Sequence, residues 1–91
     1  MSKLPSHVKI SEDALMQQLG DEVMILNLAS EHYYKLDEVG GRLLQLFSEH
    51  SSVQKVFDIM MHEYEVPADL LREDMILLIE QLLKAKLISV N

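Results

Sequence analysis

The sequence predicts an α+β domain of winged helix-turn-helix-like order, with a three-stranded antiparallel sheet followed by three helices. Three observations carry this. Apolar residues alternate at period two through much of the first third of the 91-residue chain. Gly20-Asp21 falls between two apolar runs, the spacing of a two-residue hairpin turn. After Asp37 the apolar spacing changes to threes and fours and holds through three successive runs, which is the helical period.

Each element has its own local cause. Residues 1–5 read as a frayed lead-in, and His7, Val8, Lys9 and Ile10 alternate as a short extended segment. Residues 15–19 form the first strand of a meander. Residues 22–28 form the second, where the unbroken block Val23, Met24, Ile25 and Leu26 suggests a central strand covered in part on both faces. Ala29-Ser30-Glu31 makes the next turn, and His32-Tyr33-Tyr34-Lys35-Leu36 is a short aromatic strand left at the sheet edge. Asp37 is a good N-cap for a first helix ending near His50, with Val39, Leu43, Leu44, Leu46 and Phe47 on its apolar face. Gly40-Gly41 weakens that helix, and the compensation expected is close approach of its backbone to the sheet.

Ser51 and Gln54 have capping-box spacing for a second helix, whose stripe is Val53, Val56, Phe57, Met60 and Tyr64. Val66-Pro67 breaks it. A third helix begins at residue 67 or 69 and runs to residue 85, with Glu73 and Asp74 near its start and Lys84 and Lys86 near its end, as the helix dipole favours. Residues 87–90 form a short extended tail. The helices are expected to form one layer, with the third flanking the sheet. No linker or repeat divides the chain, so residues 1–91 read as one domain.

Composition narrows the function. The chain carries 48% hydrophobic and 25% charged residues, the balance of a folded globular protein. Its net charge of −7 disfavours phosphate backbones and anionic membrane surfaces. Without cysteine there is no disulfide, thiolate nucleophile or cysteine metal site, which fits a reducing cytoplasm. The four histidines include no i,i+4 pair, there is no His-Glu-x-x-His run, and Gly40-Gly41 lacks the Lys and Ser/Thr of a phosphate loop. His62-Glu63 reads as a solvated helix end. The expectation is a non-catalytic protein with no metal or cofactor.

Two features suggest binding. The third helix carries more apolar surface than a core stripe needs. Leu71, Met75, Leu78 and Leu82 share one narrow arc, Leu70 and Leu77 widen it on one side, and Ile76, Ile79 and Leu83 widen it on the other. The third strand leaves a row of unpaired backbone groups at an edge defended chiefly by Lys35. An apolar helix beside an open edge makes a groove in which a peptide can add as a strand, with side-chain pockets setting specificity. The residues expected there are His32, Tyr33, Tyr34 and Lys35 on the strand, and Asp69, Leu71, Arg72, Asp74, Met75, Ile76, Leu78 and Ile79 on the helix. The acidic flank of Asp69, Glu73, Asp74 and Glu80 reads as a solvated face or as a clamp for basic peptide residues.

The run from Tyr33 to Leu46, Tyr-Tyr-Lys-Leu-Asp-Glu-Val-Gly-Gly-Arg-Leu-Leu-Gln-Leu, resembles the signature of PqqD-like proteins, and the segment from Leu82 to Leu87-Ile88 resembles their closing helix and tail. The likeness in element order spans residues 15–88. Asp37 stands where Asn is commoner, and Leu44 near a place where many relatives have Trp. The resemblance implies a recognition element for ribosomally made, modified peptides. Such an element binds a precursor's leader segment and delivers it to a leader peptidase or another modifying enzyme. The version here is most similar to the leader-binding protein of lasso-peptide clusters, in which the leader adds as a fourth strand against the third and packs on the third helix. A peptide chaperone of quinone-cofactor synthesis ranks second, since the Pro-Glu-Gly turn of that subgroup is absent. A winged-helix DNA-binding regulator would need a basic recognition helix, and here Arg72 and Lys84 face four acidic residues. A homodimer using the third-strand edge is the remaining alternative.

Overall fold

In the computed structural model, which describes residues 4–91, the order is β1 (Val8–Ile10), β2 (Ala14–Leu19), β3 (Glu22–Asn27), β4 (His32–Leu36), α1 (Glu38–Glu49), α2 (Val53–Glu63), α3 (Ala68–Lys84) and β5 (Ile88–Val90). Strands β2, β3 and β4 form the expected antiparallel meander with β3 in the middle, and three helices follow it. Gly20 turns the first hairpin with φ +64°, a conformation cheap only for a residue without Cβ. Leu19 opposite Glu22 closes it as a two-residue loop. Strand β3 alternates rather than being covered on both faces: Val23, Ile25 and Asn27 are buried, while Met24 and Leu26 are half-exposed on the outer face.

Asn27 organises the next turn. Its side-chain oxygen accepts from the backbone N–H groups of Ala29 (3.0 Å) and Ser30 (3.2 Å), and its amide donates to the Ala85 carbonyl at 2.9 Å. One buried side chain therefore shapes the β3–β4 turn and fastens it to the C-terminal end of α3.

The Asp37 carboxylate caps α1, accepting from the Gly40 N–H at 2.8 Å. The close approach expected at the glycine pair occurs at Gly41: a Cβ there would lie 2.6 Å from Val23 Cγ2. Helix α1 thus rests on β3 and β4 and is the helix nearest the sheet. Gly41 lets α1 sit closer than any residue with a side chain could. Helix α3, expected to flank the sheet, stands at its β4 edge across a cleft.

Helix α2 is capped by Ser52, whose hydroxyl accepts from the Lys55 N–H at 3.2 Å, one residue later than the capping-box spacing suggests. Ser51 is engaged elsewhere, since its carbonyl accepts from the Val8 N–H at 2.9 Å. The α1–α2 connection is thereby zipped to β1, with Val53 N–H donating to the Ser6 carbonyl and His7 bridging Ser52. Arg42 on α1 forks onto Glu63 at the end of α2, with contacts of 2.8 and 2.5 Å, and its guanidinium holds that carboxyl below the usual carboxylate range.

Helix α3 starts after Pro67 and ends in a Schellman turn. Lys86 takes φ +60° where glycine is commonest, Leu87 N–H donates to the Leu82 carbonyl, and Lys86 N–H donates to that of Leu83. The two extended ends become a second small sheet, Val8 opposite Val90 and Ile10 opposite Ile88. Sequence periodicity does not announce a pair of three-residue strands joined across nearly the whole chain. The lead-in is anchored as well, because Leu4 packs on the core; Met1, Ser2 and Lys3, assigned to that lead-in, lie outside the described residues. One apolar cluster runs through the domain, drawing Ile25, Leu43, Leu44, Met60, Met75 and Leu87 together.

Candidate functional site

The ladder at β4 follows from register. Leu28 N–H donates to the Asp13 carbonyl, so in the β2–β3 pair the bonded positions on β3 are the even-numbered ones. The odd positions Val23, Ile25 and Asn27 then bond to Leu36, Tyr34 and His32. The amides left over on β4 belong to Tyr33 and Lys35, and they point away from the sheet. Among the described residues, β4 has no partner on that side.

Beside this edge lies a cleft of about 500 Å³ between β4, the start of α1 and the middle of α3. Lys35, Leu36 and Asp37 form one wall and Val39, Gly40 and Leu43 the floor. The opposite wall is Asp74, Leu77, Leu78 and Gln81 of α3, a stripe at i, i+3, i+4 and i+7. The cleft narrows where Leu36 and Leu43 turn inward to the core, and its rim carries charges of both signs, Lys35 against Asp37 and Asp74. It offers backbone donors and acceptors along one side and apolar contact along the other. Among the described residues no group of His, Cys, Asp or Glu could hold a metal ion.

The structure sorts the residues expected at this site. On β4, His32, Tyr33 and Lys35 are exposed, Tyr33 at 59%, and Tyr34 is half-buried on the inner face. On α3, Asp74 and Leu78 line the cleft. Leu71, Met75 and Ile79 do not: they are 1%, 0% and 3% exposed and belong to the core. Arg72 and Ile76 lie about 160° around the helix from Asp74. Arg72 stands 5.3 Å over the Phe57 ring on α2 and 3.5 Å from the exposed Asp69, so Arg72 faces α2 rather than β4. The groove flank is the one marked by Leu70 and Leu77, both exposed, Leu77 at 64%. The reason is core packing. Five apolar side chains, Leu71, Met75, Leu78, Ile79 and Leu82, are buried, and the helix satisfies them by turning its Leu77 side to the sheet edge. Leu77 and Gln81 on α3, with Val39, Gly40 and Leu43 on α1, are cleft residues beyond those expected. The i,i+3,i+4,i+7 spacing from Asp74 is the signal that could have found the helix pair.

Residues 22–88 match the family described as Coenzyme PQQ synthesis protein D (PqqD). Among solved structures, the chain is similar to TbiB1 in complex with the TbiA(beta) leader peptide, with 28% identity, TM-score 0.83, and coverage of 89% of this chain and 94% of that one. It also shares the fold of a lasso peptide synthetase B1 complexed with the leader peptide, at 18% identity and TM-score 0.79, over 91% and 98% of the two chains. No curated protein matches the sequence. No helix of the described residues is long and apolar enough to cross a membrane.

Proposed function

The chain belongs to the PqqD family, and from that premise we propose that it binds the leader segment of a ribosomally made precursor peptide as a fourth strand along β4. The single observation that carries this reading is the vacant ladder at Tyr33 and Lys35 lying against the cleft walled by Asp74, Leu77, Leu78 and Gln81. A bound segment would take its backbone bonds from Tyr33 and Lys35. Its inward side chains, on the face of Tyr34 and Leu36, would enter the cleft, and the alternate ones would extend the outer face past Tyr33. Such a segment satisfies amides that otherwise face water, and the pockets select which leader fits.

In this reading the protein performs no chemistry. It concentrates the precursor and hands it to a leader peptidase or other modifying enzyme, in lasso-peptide biosynthesis. The likeness to two B1 proteins solved with leader peptides supports the assignment to that class. The description of the family model favours a second reading, in which the peptide is the precursor of a quinone cofactor; titration with both kinds of leader separates the two.

Calorimetric titration with lasso-precursor leader peptides tests the mode of capture. In a series of leaders carrying one proline each, affinity should fall sharply at alternate positions, where the lost N–H faces β4, and little at those between. A flat response across the series would show that the backbone of the peptide is not read.

A further inference from the structure

The sheet has a second free edge. Strand β2 pairs with β3 alone among the described strands. Since its odd-numbered amides bond to β3, the even-numbered ones face outward; the Ala14 N–H is taken by the Ser11 carbonyl at 3.1 Å, and those of Met16 and Gln18 are left open. Helix α1 rests over β3 and β4 and leaves the inner face of β2 only partly covered. A cleft of about 650 Å³ opens there, with Val8, Ile10, Ala14, Met16 and Phe47 on its apolar side and Lys9, Glu49 and His50 on its polar side. On the outer face Leu15 and Leu19 stand 51% and 49% exposed.

The composition of this edge names its occupant. Sheet edges are ordinarily defended by charge, proline or a bulge, and residues 14–20, Ala-Leu-Met-Gln-Gln-Leu-Gly, contain no charge and no proline. A chain of net charge −7 repels its own copies, so a contact between copies needs an uncharged strip of this kind. The strip is also symmetric about Gln17, with leucine two residues to either side.

We infer that β2 pairs antiparallel with β2 of a second copy, about a two-fold axis through Gln17, joining two three-stranded sheets into one of six strands. In that register the outward amides of Met16 meet those of the partner's Gln18. Leu15 lies opposite the partner's Leu19 on both sides of the axis, and the two Gln17 side chains face each other. Side chains directly opposite on one face of an antiparallel pair are in contact, so the leucines shield each other. Asp13 falls opposite the partner's Asp21 at each exposed end, so added salt should strengthen the association. The β4 edges remain free at the two outer ends of the dimer, which leaves the leader cleft unobstructed.

The test is sedimentation equilibrium over a concentration series. An edge contact of this size is weak, and a dissociation constant on the order of 10 μM is expected. Gln17 is exposed, so charge there does not threaten the fold. Gln17→Lys and Gln17→Glu should each be monomeric, because each puts like charges face to face on the axis, and mixing the two should restore the dimer. Lys35→Pro, on the opposite edge, should leave it intact. The inference is overturned by a wild-type chain that stays monomeric at millimolar concentration, by mixed Gln17 variants that fail to associate, or by a dimer lost in Lys35→Pro.

Discussion

Along β4 the outward amides belong to Tyr33 and Lys35, in a strand with a cation, two aromatic rings and a cleft walled by a helix. Along β2 they belong to Met16 and Gln18, in a strand with no charge at all. Both edges leave a ladder open and both adjoin a cleft of several hundred Å³. What differs is the chemistry around the ladder. The β4 cleft mixes Lys35, Asp37 and Asp74 with leucines, a surface chemically suited to the proposed peptide. The β2 strip is neutral and symmetric, a surface that suits itself. An open edge is therefore not a function. The side chains flanking the ladder decide what may add to it.

The sharpest way to break this comparison is to remove one outward donor. Lys35→Pro deletes an N–H that faces away from β3, so the sheet should hold while a leader carbonyl loses its partner. Leader affinity measured by calorimetry should fall about 10- to 100-fold, whereas Gln17→Lys should leave it unchanged. Equal losses in both variants would mean that the edges are not distinct.

A smaller effect is expected at Asn27, which ties the β3–β4 turn to the end of α3 and so sets the width of the β4 cleft. Asn27→Ala leaves the Ala85 carbonyl and two turn amides without their partner and should cost about 1–3 kcal/mol in urea unfolding. Leader binding should weaken with it, and β2 self-association should not.

Gly41→Ala affects both sides of the sheet, because α1 rests on the central strand. The helix-propensity gain of about 1 kcal/mol is outweighed by overlap with the rigid, β-branched Val23. A net loss of about 1–2 kcal/mol is expected, seen as a lower thermal midpoint.

The least effect concerns Arg42–Glu63, which clamps α1 to α2. The pair is about a third exposed, so Arg42→Ala should cost no more than about 1 kcal/mol. The sign with pH follows from the lowered Glu63 value. The stabilisation is complete above the ordinary carboxylate range and is lost as pH falls through the depressed folded value. Arg42 is protonated throughout. The stability difference between wild type and Arg42→Ala should therefore vanish in acid, and neither peptide binding nor self-association should follow it.

Much of this architecture is local and could be read from the chain alone. Gly20-Asp21 specifies a two-residue turn because few residues accept φ +64°, Asp37 stops the sheet and starts a helix because its carboxylate satisfies a free amide, and Pro67 resets the chain for α3. Even the open β4 edge followed from strand order. The capping of α2 was legible only to within one residue, because Ser51 is held by β1, a contact between distant parts of the chain. The pairing of β1 with β5 escaped for the same reason.

Which flank of α3 faces the open edge was decided by tertiary structure alone. Apolar residues run around so much of that helix that its sequence permits several rotations. Burial of Leu71, Met75, Ile79 and Leu82 against the other helices selects one of them, and the Asn27–Ala85 bond fixes the helix end. That rotation carries Arg72 toward Phe57 and brings Asp74, Leu77 and Gln81 to the cleft. Sequence determines what a helix can bury; only competition among all the buried surfaces determines what it has left to offer.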